Sequence, residues 1–140
     1  MTAIALTANQ IQPVYPETAE IYDFVAAAAI TAGQAVYITS AGKVDLADAN
    51  GSGTLQFRGI ALNAAAAGQA VSVLKRGHCA GFTVSGLAYD DIAYLSNTAG
   101  GLDTSAGGTS IICGRVVPLP DQGTYTKVLW IEADWLRTWS

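Results

Sequence analysis

The feature that most constrains this 140-residue chain is a series of short strand-like blocks written twice in the same order. Gly33-Gln-Ala-Val-Tyr-Ile-Thr39 is answered by Asp90-Asp-Ile-Ala-Tyr-Leu-Ser96. Phe57-Arg-Gly-Ile-Ala-Leu62 is answered by Ile112-Cys-Gly-Arg-Val-Val117, and Gly68-Gln-Ala-Val-Ser-Val-Leu74 by Gly123-Thr-Tyr-Thr-Lys-Val-Leu129. The paired blocks begin 57, 55 and 55 residues apart. Three blocks at nearly one offset read as an internal repeat, and a repeat dictates the architecture before any local pattern does. Two copies, about 33–75 and 90–131, are expected to build one β body over residues 21–131.

The blocks are short, rich in Val, Ile and Tyr, and bounded by Gly, Asn, Asp or Ser, which is strand patterning. Further β segments are expected at Glu20–Val25, Lys43–Leu46, Leu55–Leu62, Gly81–Val84 and Ser110–Val117. Spacing of roughly ten residues between them predicts an all-β fold, a compact sandwich or barrel. Residues 1–20 carry Pro13 and Pro16, which forbid a helix there and favour extended backbone, so an N-terminal arm is expected. Ala26 to Ala29 favours helix by propensity, but it lies between a strand and the Ala32-Gly33 turn and is expected to be extended. Asp134-Trp-Leu-Arg-Thr-Trp139 is expected to make one helical turn within a short tail, 132–140, with Trp135 and Trp139 on one face.

Composition narrows the function classes. Net charge is −4, with seven scattered basic residues, so the basic face that displaces counterions from a nucleic acid is missing. No apolar run approaches the ~20 residues of a membrane-spanning helix, and the first residues lack the pattern of a signal peptide. Only 13% of residues are charged, about half the usual share. Such a surface suits a protein partly covered by partners. Cys79 and Cys113 are too few for a disulfide framework and are expected to be reduced, buried and structural.

Candidate catalytic and ligand sites fail one by one. His78 is the sole histidine and lies next to Cys79, whereas a catalytic pair is normally assembled from residues distant in sequence. Asp45-Leu-Ala-Asp-Ala-Asn-Gly51 resembles a calcium loop, yet aligning Gly51 on the invariant glycine puts Leu46 and Phe57 where carboxylates are required. Asp90-Asp91 precedes a strand and reads as a solvated turn. Gly100 to Gly108 lacks the lysine of a phosphate loop. No catalytic residue, cofactor or metal ligand is expected, and the protein is not expected to be an enzyme. Trp130, Trp135 and Trp139 crowd the last eleven residues, where they either dock the tail or anchor a subunit interface.

Gly33-Gln-Ala-Val-Tyr-Ile, Phe57-Arg-Gly-Ile-Ala, Ala67-Gly-Gln-Ala-Val-Ser-Val and Ala93-Tyr-Leu-Ser-Asn-Thr-Ala-Gly-Gly-Leu resemble the capsid decoration, or cement, proteins of tailed bacteriophages. The resemblance extends to lambda-type head decoration proteins and covers about residues 20–131. It implies a structural virion protein, commonly trimeric, made in the host cytoplasm and placed on the outer capsid surface. There it would clamp adjacent major capsid proteins after head expansion, against internal DNA pressure, with no nucleic-acid or membrane partner. Under this reading Ile4, Leu6, Ile11, Val14 and Tyr15 are the anchors of an arm that is mobile in isolation and orders across a capsid subunit by strand addition. The alternative is a carbohydrate-binding or adhesion module of a phage head or tail fibre, with Tyr89, Tyr94 and Tyr125 as its platform.

Overall fold

The computed structural model describes residues 3–51, 53–121 and 124–140, with the backbone alone at 120, 121, 124 and 125. Ten strands and one 3₁₀ turn, Ala8–Gln10, form its regular structure, as the all-β expectation required. The strands are β1 (Gln12–Pro13), β2 (Glu20–Val25), β3 (Ala35–Ile38), β4 (Val44–Leu46), β5 (Gly59–Ala61), β6 (Ala70–Ala80), β7 (Ile92–Leu95), β8 (Leu102–Asp103), β9 (Ile112–Asp121) and β10 (Thr124–Glu132). They form one curled antiparallel sheet in the order β4-β3-β5-β6-β10-β9-β7-β8, with β1 and β2 added along β6. The order outward from β6 to β4 follows the same pattern of connections as the order outward from β10 to β8. Gly59 of β5 and Gly114 of β9 also share a local constraint. A Cβ at either would meet a neighbouring carbonyl oxygen, Leu74 O at 2.6 Å or Trp130 O at 2.0 Å.

Two apolar clusters fill the interior. The larger holds Phe57, Ile60, Leu74, Leu95, Ile111, Leu129 and Ile131. The smaller holds Ala26, Ile30, Val36, Val44, Ala61, Ala65, Val71 and Val73. Successive residues of a strand face opposite sides. Ala35 and Val36, Ile60 and Ala61, and Leu74 and Val73 therefore divide between the two clusters. Where β3, β5 and β6 meet, at Ala35-Val36, Ile60-Ala61 and Val73-Leu74, they make a wall buried on both faces. The spelling is continuously apolar at these positions, whereas Val71-Ser72-Val73 earlier in β6 alternates.

The N-terminal segment departs from the free-arm expectation. The Ile4 amide donates to Leu102 O of β8, the Thr7 amide to Gly81 O, and the Thr83 amide to Ala5 O. Residues 3–7 thus lie between β8 and the chain just after β6. Gln12 and Pro13 then pair with Ala80 and Cys79, and the Val14 amide donates to His78 O. Ile4 and Ile11 are buried in the larger cluster, with Leu6 packed against it. The space for Ile11 comes from Gly81, at φ +103°, where a Cβ would lie 2.6 Å from Ile11 Cδ1. An extended segment whose unpaired amides meet the edge of its own sheet satisfies them there. Proline is tolerated because it sits at the sheet's edge.

Other differences are local. β6 continues past residue 75, the expected end of the first copy, through Arg76-Gly77-His78, so His78 lies within a strand. Gly81–Val84 makes only an isolated bridge, Leu6 with Phe82. The tail forms a turn, with the Arg137 amide donating to Asp134 O, in place of a helical turn. Ala26 to Ala29 is non-helical, as expected.

Ile11→Ala is expected to lower stability by about 2–5 kcal/mol, the range for truncating a buried isoleucine, measured by urea unfolding. Deleting residues 2–18 should correspondingly lower the melting temperature substantially. A truncated protein that melts like the full chain would mean that the segment is detached in solution.

Candidate capsid-binding surface

The tail is held by two side chains that sequence reasoning passed over. The Arg58 guanidinium donates to Asp134 O at 3.2 Å and Arg137 O at 3.1 Å, as well as to Phe57 O at 3.3 Å. Burial lowers its pKa and Asp134 opposes that shift. Gln56 makes a reciprocal pair with Trp139: its amide nitrogen donates to Trp139 O at 2.7 Å, and its oxygen accepts from the Trp139 amide at 2.9 Å. The Trp139 side chain lies in the larger core cluster. Trp135 donates its indole N–H to Arg58 O at 2.7 Å and packs beside Tyr22 and Phe24, with Lys75 over its ring. Both tryptophans therefore dock the tail on the chain's own sheet. Among the described residues, Leu136 is the large apolar side chain left almost wholly in solvent, at 97% exposure.

Trp130 is placed differently. Cys79 and Leu129 face the core, so their strand neighbours His78 and Trp130 face outward. The Tyr15, His78 and Trp130 rings form an edge-to-face row, with centroids 5.1 and 5.0 Å apart. Beside it runs an ionic ladder of Lys75, Glu20, Arg76 and Glu132, at 3.6–3.8 Å. These pairs are substantially solvated and add little stability; they give the row a mixed-charge border. Partial burial lowers the His78 pKa.

The residues weighed for chemistry have structural employment. Asp48 Oδ1 accepts from the Asn50 and Gly51 amides and the Thr54 hydroxyl, closing the loop that resembled a calcium site. Asp90 takes φ +69°, its amide donates to Val116 O, and its carbonyl and carboxylate meet Arg115. Asp91 Oδ2 accepts from the Ala88 amide. The Asn97 side chain accepts from the Gly108 amide, bracing the glycine-rich loop. Among the described residues no group of His, Cys, Asp and Glu could hold a metal ion. Cys79 and Cys113 are buried and free, and burial pushes the Cys79 thiol up to about 12 and Cys113 well up.

The five arm residues divide. Ile4, Leu6 and Ile11 are committed to the body, while Val14 is half-buried and Tyr15 exposed. For the glycan alternative, Tyr89 is exposed beneath Lys127, Tyr94 is half-buried, and the Tyr125 side chain lies outside the described residues. The outward aromatic row instead joins Tyr15, His78 and Trp130.

Arg58→Leu removes three charged hydrogen bonds and should cost about 1–3 kcal/mol. It should also redden the tryptophan fluorescence and speed proteolysis between 133 and 140. Unchanged fluorescence and cleavage would show that Trp139 and Gln56 hold the tail without it. Both thiols should resist an aromatic disulfide reagent at pH 8 and react only in denaturant, because a buried thiol that stays protonated is a poor nucleophile. Rapid reaction of either native thiol would contradict their placement.

The family described as phage cement protein matches residues 2–77, just over half of the chain, from the N-terminal segment through most of β6. No curated protein matches the chain.

Proposed function

Because the chain belongs to the phage cement protein family, whose role is structural and capsid-associated, we propose that it binds the outer face of an expanded phage head and cross-links neighbouring major capsid proteins. The family match is the observation that carries this reading. The fold supports it: an acidic β body in which Arg58, Asp48, Asp90 and Asp91 are engaged in clamps and turns offers surface instead of chemistry. Binding at a hundred times Kd stabilises the bound state by about 2.7 kcal/mol. A bridge between two capsid subunits sets that free energy across the joint that rupture under DNA pressure must open.

The proposed contact includes Tyr15 and Val14, the arm residues left near the surface, with Trp130 in the outward row. A subunit interface through Trp135 or Trp139 would require the tail to leave Arg58 and Gln56, so Trp130 is the tryptophan suited to one. The proposal includes a homotrimer. It also takes 33–75 and 90–131 as copies of one unit, supported by their matching strand connections and the shared constraint at Gly59 and Gly114.

Expanded heads lacking this protein provide the test. Added protein should sediment with them at saturable stoichiometry and raise the temperature at which they release DNA. Failure to sediment with expanded heads would overturn the reading. Native mass spectrometry of the free and head-bound protein should give a trimer mass in at least the bound form.

A further inference from the structure

The β9–β10 ribbon has one closed edge and one open edge. The Val116 amide donates to Asp91 O, away from β10. By the alternation of a strand, the backbone groups of residues 116, 118 and 120 point outward, and those of 117, 119 and 121 point to β10. Residues 118 and 120 are prolines, so the outer edge of β9 lacks the N–H groups that another strand would need. The same register sets Val117 opposite Val128 and Leu119 opposite Thr126. Residues 125, 127 and 129 of β10 therefore direct their backbone groups to its other edge.

On that edge Leu129 pairs with Cys79, and the described ladder to β6 stops there. Past Ala80 the chain turns at Gly81, and the Thr83 amide donates to Ala5 O on the arm's side. A cleft of about 440 Å³ separates the exposed edge from the departing chain, lined by Phe82, Thr83, Val84, Ser85, Thr126 and Lys127. Lys127 Nζ donates to Ser85 O and Leu87 O, bracing the far wall.

We propose that this cleft receives an extended segment of the major capsid protein, which adds to β10 as a strand through the backbone N–H and C=O of Lys127 and its neighbour two residues back. The inference rests on the capsid-binding reading above and names where the shell is gripped. A second copy is the poorer occupant: antiparallel self-pairing centred on Lys127 would set two ammonium groups directly opposite, which is destabilising. A capsid segment without proline at the facing position completes the ladder that β6 leaves unfinished.

Lys127→Pro and Lys127→Thr separate the backbone contribution from the side-chain one. Both lose the ammonium group, but only proline removes the outward N–H, which the β9 ladder does not use. Lys127→Pro should reduce occupancy on expanded heads about tenfold or more relative to Lys127→Thr, the loss expected for a deleted hydrogen bond with a steric clash added. Hydrogen exchange on the wild-type protein supplies a second readout that does not depend on the variant folding. Backbone amides at 125 and 127 should exchange rapidly in the free protein and slow at least tenfold on heads. Equal occupancy of the two variants, unchanged exchange on heads, or protection that rises with protein concentration without heads would overturn the proposal. Wild-type protein that does not bind heads at all would instead overturn the capsid-binding reading.

Discussion

β6 is the strand on which the sheet depends. Its first half pairs with β2 and β5, and its second half with β1 and β10. One strand can serve four partners only if it is long and locally irregular. A register shift opposite Glu20 and Ile21 supplies the irregularity, next to Gly77 at φ +146°. Bulges of this kind bend a strand and sharpen its twist. The two halves of the curled sheet share this one hydrogen-bonded strand.

The N-terminal segment and the tail use that strand differently. In the N-terminal segment, residues 12–14 and Glu20–Val25 supply edge backbone along β6, and residues 4–7 bond to Leu102, Gly81 and Thr83. The tail brings almost no ladder. It is held by Arg58 and Gln56 through its own carbonyls and one amide, and by two indole rings set against apolar neighbours. Charged donors on main-chain oxygens hold a short irregular segment that lacks the length to form strand or helix.

Legibility in the sequence followed the reach of each signal. β2, β3, β4 and β7 are bounded by turn residues and carry β-branched or aromatic side chains, so local patterning located them. The second half of β6 was hidden, because Lys75, Arg76 and His78 are its outward or border residues and Gly77 its irregularity, which together spell a turn. β8 has only two residues. The arm's apolar residues were found, but not their destination. Whether an extended amphipathic segment docks on its own sheet or on a neighbour's depends on an edge and a glycine at position 81, neither of which its own residues encode. The tail's clamp was illegible for a related reason: Arg58 and Gln56 meet it across 76–83 residues of chain. The helical spacing of Trp135 and Trp139 was a local coincidence that these distant partners overrode.

The wall of β3, β5 and β6 has a thermodynamic consequence. A chain assembled from two similar sets of strands invites the thought that each half could melt alone. Here the strands of the first half present one face to each apolar cluster. Opening the smaller cluster removes support from strands whose other face carries the larger one, and the larger cluster draws residues from both halves and both terminal segments. The cooperative unit is therefore the whole body, not either set of strands. A body built this way is expected to unfold in one transition under heat or denaturant.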